Sequence, residues 1–563
     1  MRTISAALMT LAALTPPTVP GRVFVDATAA VGIQFRHQSG AAGRKYLPET
    51  MGSGGAFLDA DGDGWLDVLL INSKTWSGGS RTRHALYRNN ANGTFSDVTA
   101  RSGLGVEMYG MGVAAGDYDN DGRVDVYITG LGGNRLFHGS GGGTFVDVTG
   151  KAGVAADGFS TSAAWLDYDA DGKLDLFVAR YVDWSIGTDL FCTLDGQTKS
   201  YCTPESYKGQ SGILFHNRGD GTFEDVTRAA GLYDPTAKAL GVALLDFDND
   251  GKLDLFVAND TQPNRLYRNR GNGTFVDVGT TAGVAFNEAG VARAGMGVDA
   301  ADFDGSGRTS LVIGNFSNEM MALYANEGNG LFIDEAPTST VGRASLLTLT
   351  FGCFFFDYDL DGLLDIFAAN GHVADDISRV QPRVRYAQPP HLFRQVGTRR
   401  FEAVTDKAGP DLLQPMVARG AAFGDYDRDG DLDVLVTINN GRARVLRNDG
   451  RENRALRLSL RGTTSNRDAV GARASVRLTD GTRRTQMVKT GSSYLSQSEL
   501  PLTFGLGASA AVEAIEVTWP SGRTEKVSGA LPGQTLVIEE GRGIVDRVPF
   551  LAPARSSTGP RGR

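Results

Sequence analysis

The sequence predicts an all-β fold, and three observations carry that expectation. A nine-residue stretch recurs seven times; its cleanest copy is Asp246-Phe247-Asp248-Asn249-Asp250-Gly251-Lys252-Leu253-Asp254. A second phrase travels with it, Leu266-Tyr267-Arg268-Asn269-Arg270-Gly271-Asn272-Gly273-Thr274-Phe275-Val276-Asp277-Val278. The last unit lacks the end of this phrase, and the missing piece stands at the other end of the chain as Phe24-Val25-Asp26-Ala27-Thr28.

Each unit reads as four short strands. Strand one ends in the Asp loop, and a β-type run such as Leu255-Phe256-Val257-Ala258 follows directly, so the loop joins two strands rather than two helices. Asn-Gly or Gly-Gly before Thr-Phe is a hairpin turn. It places strand three on the Leu-aromatic run and strand four on the Phe-x-Asp-Val run. Relatives of the second phrase begin at Leu86, Leu136, Leu214, Leu323 and Leu392, and a period of this size reads as a blade or solenoid unit. An open solenoid has no use for a strand moved to the N-terminus. A closed ring does, because that strand completes the last unit and covers a sheet edge. The expectation is a seven-bladed β-propeller over residues 21–450, closed by the N-terminal strand. The 74 glycines, roughly twice the average share, suit its many tight turns.

The Asp loops carry carboxylates at positions 1, 3, 5 and 9 and glycine at 6. A short loop concentrates four like charges when something neutralises them, and a hard dication taking oxygen ligands does so. The opening matches the first half of an EF-hand loop, without the Glu at position 12. The expected metal ligands are Asp59, Asp61, Asp63 and Asp67; Asp117, Asp119, Asp121 and Asp125; Asp167, Asp169, Asp171 and Asp175; Asp246, Asp248, Asp250 and Asp254; Asp357, Asp359, Asp361 and Asp365; and Asp425, Asp427, Asp429 and Asp433. The fifth copy keeps only Asp302 and Asp304, with Ser306 and Ser310 in the other two places, so it should bind weakly or not at all. These loops resemble the calcium loops of FG-GAP or VCBS propellers, as in the integrin α head. The resemblance covers about residues 23–450 and implies about six Ca2+ sites.

Residues 1–20 carry Arg2, an apolar run from Ile4 to Leu14, then Pro16 and Pro17, the pattern of a secretory signal peptide. That run is too short for an ordinary membrane anchor, and no later stretch is long enough. The expectation is a secreted or periplasmic protein with no membrane span. The formal charge of −9 describes the metal-free chain; six dications, carrying twelve charges, would turn it into +3. No nucleic-acid partner is expected. Cys192 and Cys202 lie in an irregular stretch, 180–212, with too few other Cys or His nearby for zinc. In an exported protein they are expected to form a disulfide. Cys353 reads as a small core residue. His138 and His216 fall where other units have Arg268 or Ala325. His37, His84, His372 and His391 fall in loops and read as ordinary surface or packing histidines. No Gly-x-Ser-x-Gly, His-Glu-x-x-His or phosphate-binding glycine loop is present.

After Gly450 the repeat stops. Residues 451–542 still read as strands, turned at Asp480-Gly481 and Pro520-Ser521-Gly522, which predicts a small β-sandwich-like domain. It holds thirteen basic against nine acidic side chains. Ser465-Asn466-Arg467, Gly471-Ala472-Arg473, Gly491-Ser492-Ser493-Tyr494-Leu495-Ser496-Gln497-Ser498, Phe504-Gly505-Leu506-Gly507 and Trp519-Pro520-Ser521-Gly522 together resemble an ASPIC/UnbV domain. A propeller followed by this domain is similar to the cartilage-acidic-protein-like family, including its bacterial secreted members. The family implies an extracellular calcium-binding protein without a settled biochemical activity. Residues 543–563 are expected to be a disordered tail.

Strand parity separates two faces. The Asp loops and the turns between strands three and four share one. The long insertions 36–53, 180–212 and 371–391 all fall on the other, where Asn72, Asn259, Asn315 and Asn370 end strand two as turn formers. Loops free of metal duty on a rigid ring are where recognition usually sits. Two functions are therefore weighed. One is an extracellular binding or adhesion module for a protein or glycan. The other is a secreted, calcium-stabilised lyase or hydrolase acting on polysaccharide, for which Glu49, His372, Asp375 and Asp376 are candidates without catalytic spacing.

Overall fold

The computed structural model describes residues 23–76, 81–450, 453–507 and 511–552, so the expected signal peptide lies outside the described residues. Among the described residues, seven four-stranded antiparallel sheets are built from Phe24 to Asn448. The fourth is typical, with strands Ala239–Leu245, Asp254–Asn259, Arg265–Asn269 and Phe275–Asp277 in chain order. The seventh takes Ala418–Gly424, Asp433–Ile438 and Arg444–Asn448 from one end of the chain and Phe24–Asp26 from the other. Phe24 pairs with Asn448 and Asp26 with Leu446, so the displaced strand completes the last sheet as the sequence predicts.

The sheets pack face to face, and each apolar cluster spans neighbours. Leu58, Leu69 and Leu86 of the first sheet meet Val113 and Ile128 of the second. Phe24, Leu446 and Val434 of the seventh meet Phe354 and Phe367 of the sixth. The seventh also meets the first, through Tyr426, Leu435 and Val445 against Phe57 and Val68.

A hydrogen-bonded link runs beside these clusters. In the Leu-Tyr-Arg-Asn phrase the Asn269 amide donates to the carbonyl of Leu253 in its own sheet (3.1 Å) and to that of Tyr168 in the preceding loop (2.7 Å). Asn217, Asn326 and Asn448 repeat the bridge, reaching Tyr118, Phe247 and Tyr358, and Gln395 takes the same role toward Phe303. Asn89 of the first sheet reaches Tyr426 of the seventh.

The C-terminal part forms two further four-stranded sheets. One holds Arg454–Arg461 and Gln534–Glu539, which are parallel, flanked by Leu502–Gly507 and Gly543–Pro549. The other holds Arg473–Leu478, Arg483–Met487, Val512–Thr518 and Thr524–Val527. Both feed one core that includes Leu456, Leu458, Val476, Phe504, Val517 and Trp519. The expectation for 543–563 needs a correction. Gly543–Pro549 is an edge strand paired with Gln534–Glu539, and residues from 553 lie outside the described residues. Asp546 and Arg547 sit exposed on this edge and Pro549 ends it, which gives the segment the polarity of a tail.

Deleting residues 23–30 removes the outer strand of the seventh sheet and strips Phe24 from its core. The truncated protein is expected to aggregate or to melt at a clearly lower temperature, read by calorimetry and light scattering; an unchanged melt would mean that this strand does not close the last sheet.

Candidate functional site: the acidic loops and the opposite face

Each Asp loop is shaped by its own carboxylates. Position 9 is the first residue of strand two. Asp254 Oδ1 accepts from the Asn269 N–H (2.8 Å) and Oδ2 from the Phe247 N–H (3.1 Å). The same double engagement recurs at Asp67, Asp125, Asp175, Asp365 and Asp433. Position 1 folds the loop: Asp246 accepts from Gly251 N–H (3.1 Å), where φ of +82° asks for glycine. Position 5 accepts from position 7, as Asp250 does from Lys252 N–H (3.0 Å). In the fifth loop Ser310 Oγ takes over the strand-two role, accepting from Asn326 N–H (3.0 Å).

These groups could hold metal ions. Carboxylate oxygens of Asp59, Asp61 and Asp67, of Asp117, Asp119 and Asp121, and of Asp167, Asp169 and Asp171 lie within 4.8 Å of one another. Buried oxygens of Asp248, Asp302, Asp357, Asp425 and Asp427 have no hydrogen-bond partner, which fits a donor set made for a cation. The strand-three position supplies positive charge beside the fourth and sixth loops: Arg268 lies 2.7 Å from Asp248, and Arg394 lies 2.7 Å from Asp359 and 3.1 Å from Asp361. His138 and His216 stand at this position in the second and third loops, each 3.1 Å from the strand-two Asp. In the fifth loop, Arg399 sits 2.8 Å from Asp304.

Burial, followed by the neighbouring carboxylates, raises the acid groups of the metal-free loops. Asp67 is pushed up to about 7, Asp254 to about 8 and Asp125 to about 9, although backbone N–H groups oppose the shift. Asp175, Asp365 and Asp433 go well above the usual carboxylate range for the same reason.

The C-terminal unit covers this face. Arg457 bonds Asp425 (2.6 Å), Arg473 bonds Asp246 (3.2 Å) and Asn249 (2.8 Å), and Arg484 bonds the Asp361 carbonyl (3.0 Å). Asp468 accepts from Asp117 N–H (2.7 Å). The excess of basic residues in 451–542 is thus partly spent on the acidic loops.

From the same unit a serine-rich segment reaches the first strands of several of the seven sheets. Ser493 and Val298 exchange backbone hydrogen bonds (2.7 and 3.1 Å), and the Leu495 carbonyl accepts from Val113 (3.1 Å). Gln497 bonds both the N–H and the carbonyl of Ala115, and Glu499 N–H donates to Phe423 (3.0 Å). Inner-strand glycines make room: a Cβ on Gly54 would lie 1.9 Å from the Leu495 oxygen, and one on Gly420 2.2 Å from Ser496 Oγ. In the sequence this serine-rich run reads only as a motif, and the inner glycines only as turn formers. The nearest readable trace is a Gly in strand one of nearly every repeat.

On the opposite face the three insertions converge. Lys45 pairs with Asp375 (2.7 Å), and Ser200 donates to Asp376 (3.3 Å). Glu49 is buried, accepting from Trp76 Nε1 (2.8 Å) and the Tyr201 hydroxyl (3.1 Å). Arg419, wholly buried, donates to carbonyls of Gly371 (2.9 Å), His372 (3.3 Å) and Thr50. Tyr46, Trp76 and Trp184 pack together, with ring centroids 5.3 to 5.5 Å apart, and the Tyr494 hydroxyl reaches Met51 from below (2.9 Å). Burial lowers His372 to about 4; its Nδ1 accepts from Ala374 N–H and its Nε2 meets Ser317 Oγ. The structure therefore gathers Glu49, Asp375 and Asp376 on one face and gives each a structural partner. Asn72, Asn259, Asn315 and Asn370 bond loop backbone, as turn formers do. Cys192 and Cys202 form the expected disulfide, with Cα atoms 5.1 Å apart, and Cys353 is buried. Around that disulfide Ile186, Leu190, Phe191 and Leu194 are exposed, Phe191 by 67%.

These parts define an all-β repeat protein whose acidic loops could hold metal ions and are capped by a second β unit. The chain belongs to the family of FG-GAP-like repeat proteins. That family's model matches residues 59–128, 117–178, 188–257, 246–313 and 302–368, and the model described as ASPIC and UnbV matches 462–545. Cartilage acidic protein 1 of Mus musculus is 28% identical over 370 residues, covering 64% of this chain and 52% of that protein. The Homo sapiens protein of the same name is 28% identical over 354 residues, 62% of this chain and 48% of that protein. The chain thus spans about half the length of the curated relatives it matches. Among solved structures, BP39L lectin from Burkholderia pseudomallei is similar at a TM-score of 0.44 and 11% identity, covering 71% of this chain and 98% of that one. A lectin of Agrocybe aegerita that recognises non-reducing terminal N-acetylglucosamine is similar at 0.38 and 16%, covering 69% and 87%. No helix among the described residues is long and apolar enough to cross a membrane.

A carboxyl raised in the folded state binds its proton more tightly there than in the unfolded chain. Its contribution is intact below the unfolded value near 4 and is lost as pH rises through the folded values of about 7 to 9. Chelated protein is therefore expected to melt lower at pH 8.5 than at pH 5.5, by about 5 °C or more. Metal-loaded protein should lose this dependence, because the ion replaces the proton. Melting curves across pH with and without chelator check the sign.

Proposed function

We propose that this chain is an exported, calcium-binding seven-bladed β-propeller, closed by its N-terminal strand, that serves as an extracellular binding or adhesion module for a protein or glycan. The propeller spans 21–450 and the ASPIC/UnbV-like domain runs from 451 to about 549. The observation that carries the binding role is the exposure of Ile186, Leu190, Phe191 and Leu194 in the insertion that the Cys192–Cys202 disulfide ties together, on the face away from the C-terminal unit. Engagement of Glu49, His372, Asp375 and Asp376 in structural contacts favours binding over polysaccharide cleavage. A disulfide suits a secreted or periplasmic location.

Calcium is the metal that suits all-carboxylate loops, and its role in this reading is structural. The ligands are the carboxylates at positions 1, 3, 5 and 9 of six loops. Asp302 and Asp304 of the fifth loop form at most a weak further site, since Arg399 sits beside Asp304 and serine oxygens replace the other two carboxylates. Metal analysis after dialysis is expected to give about six calciums per chain. Zero to two would sink the assignment. Chelation should lower the melting temperature strongly, as linkage requires.

The face itself is tested by a protein and glycan array probed with the parent and with a Phe191→Ser, Leu194→Ser double variant. The variant should lose the parent's hits while melting at the same temperature, since both side chains are exposed. Equal binding by the two would place recognition elsewhere.

A further inference from the structure

The seventh loop differs from the other six in ways that the repeat does not require. Position 7 is Trp65, Arg123, Lys173, Lys252, Arg308 and Leu363 in the first six, and Asp431 in the seventh. In the second and fourth loops the position-7 cation pairs with the position-5 Asp, at 2.8 Å for Arg123 and 2.7 Å for Lys252. The seventh loop replaces that cation with a fifth carboxylate. Asp425 and Asp431 are almost wholly buried, and each has one oxygen, Oδ1, without a hydrogen-bond partner. Arg457 meets Asp425 from the C-terminal unit but also serves Glu499, and Arg447 is taken up by Asp449 (2.7 Å).

The loop is also covered. Loops one to five each leave residues exposed, whereas every residue of the sixth loop, 357–365, and of the seventh, 425–433, is buried or half-buried, and the seventh carries a lid besides. Its lid is the end of the last strand. Leu551 N–H donates to the Arg428 carbonyl (2.7 Å), and Phe550 N–H donates to the Gly533 carbonyl of the C-terminal unit (2.9 Å). The Phe550 ring lies so close over Gly430 that a Cβ there would meet it at 2.3 Å. A pocket beside the loop is lined by Asp429, Gly430, Asn453, Pro532, Gly533 and Phe550.

We propose that residues 425–433 form an occluded five-carboxylate site for a divalent cation, with Asp431 as an additional ligand, and that its ion exchanges only when the segment 549–551 lifts. Neither family match reaches this loop. The inference rests on the reading of the Asp loops as calcium sites. Five carboxylates favour a hard cation more strongly than four do, and the lid closes the path by which water would replace the protein's oxygens.

The test is chelator-driven release from calcium-loaded full-length protein, followed by stopped flow with a fluorescent chelator. The expected record has a fast phase for the open loops and a separate slow phase of one ion. Asp431→Asn, nearly the same shape with one charge fewer, should abolish the slow phase or speed it at least tenfold, with the melt of the loaded protein little changed. Phe550→Ala should speed the slow phase and leave the number of ions bound unchanged. Asp250→Asn should take one ion from the fast phase alone. Release in a single fast phase, or a slow phase untouched by Asp431→Asn, overturns the occluded site while leaving the other calcium sites standing. Absence of any bound calcium would instead remove the reading on which the inference rests.

Discussion

The structure depends on one aspartate repeated at the start of strand two. Its two oxygens accept N–H groups from opposite sides, one from the Asp loop and one from strand three, as at Asp254. With the charge in place, three consecutive elements of a sheet are fixed by one side chain, in a region where burial makes that charge costly. Taking the carboxylate away would leave two buried N–H groups unpaired, at about 1–3 kcal/mol each. The neighbouring carboxylates at positions 1, 3 and 5 then concentrate negative charge around a group that already resists ionisation. A cation between them relieves both problems, which links a folding device to a metal site.

The two faces are unequal because of that charge. The acidic side attracts the arginines of the C-terminal unit, and the unit docks there and sends its serine-rich segment along the first strands of several sheets. The other side is left for the insertions, whose anchors are Arg419, Glu49 and the aromatic cluster of Tyr46, Trp76 and Trp184. Tyr494, in the serine-rich segment, touches Met51 on the insertion side. A single chain of contacts therefore joins the acidic loops to the face proposed for recognition.

Much of this is legible in the sequence, for physical reasons. Alternating Asp with Gly at a fixed place marks a loop whatever surrounds it, and a strand phrase missing at one end and present at the other marks its partner. The Asn of Leu-Tyr-Arg-Asn is visible in the repeat, but its reach to the preceding loop depends on how sheets stack, which periodicity does not encode. The path of 491–499 is equally hidden. Serine and glycine in such a run read only as part of a motif, and only the glycines at 54, 112, 297, 352 and 420 hint that another backbone passes close by. The strand Gly543–Pro549 reads as a tail because an edge strand with an exposed face has a tail's polarity.

The pairing of Phe24–Asp26 with Arg444–Asn448 has a consequence for biogenesis. Phe24–Asp26 belongs to the last sheet, so it waits for more than four hundred residues before its partner Arg444–Asn448 is made. Until then the chain can form sheets one to six but leaves both ends of the row open, with unpaired edges that invite association. A chain clasped in this way completes its last sheet only after the whole repeat array has been made.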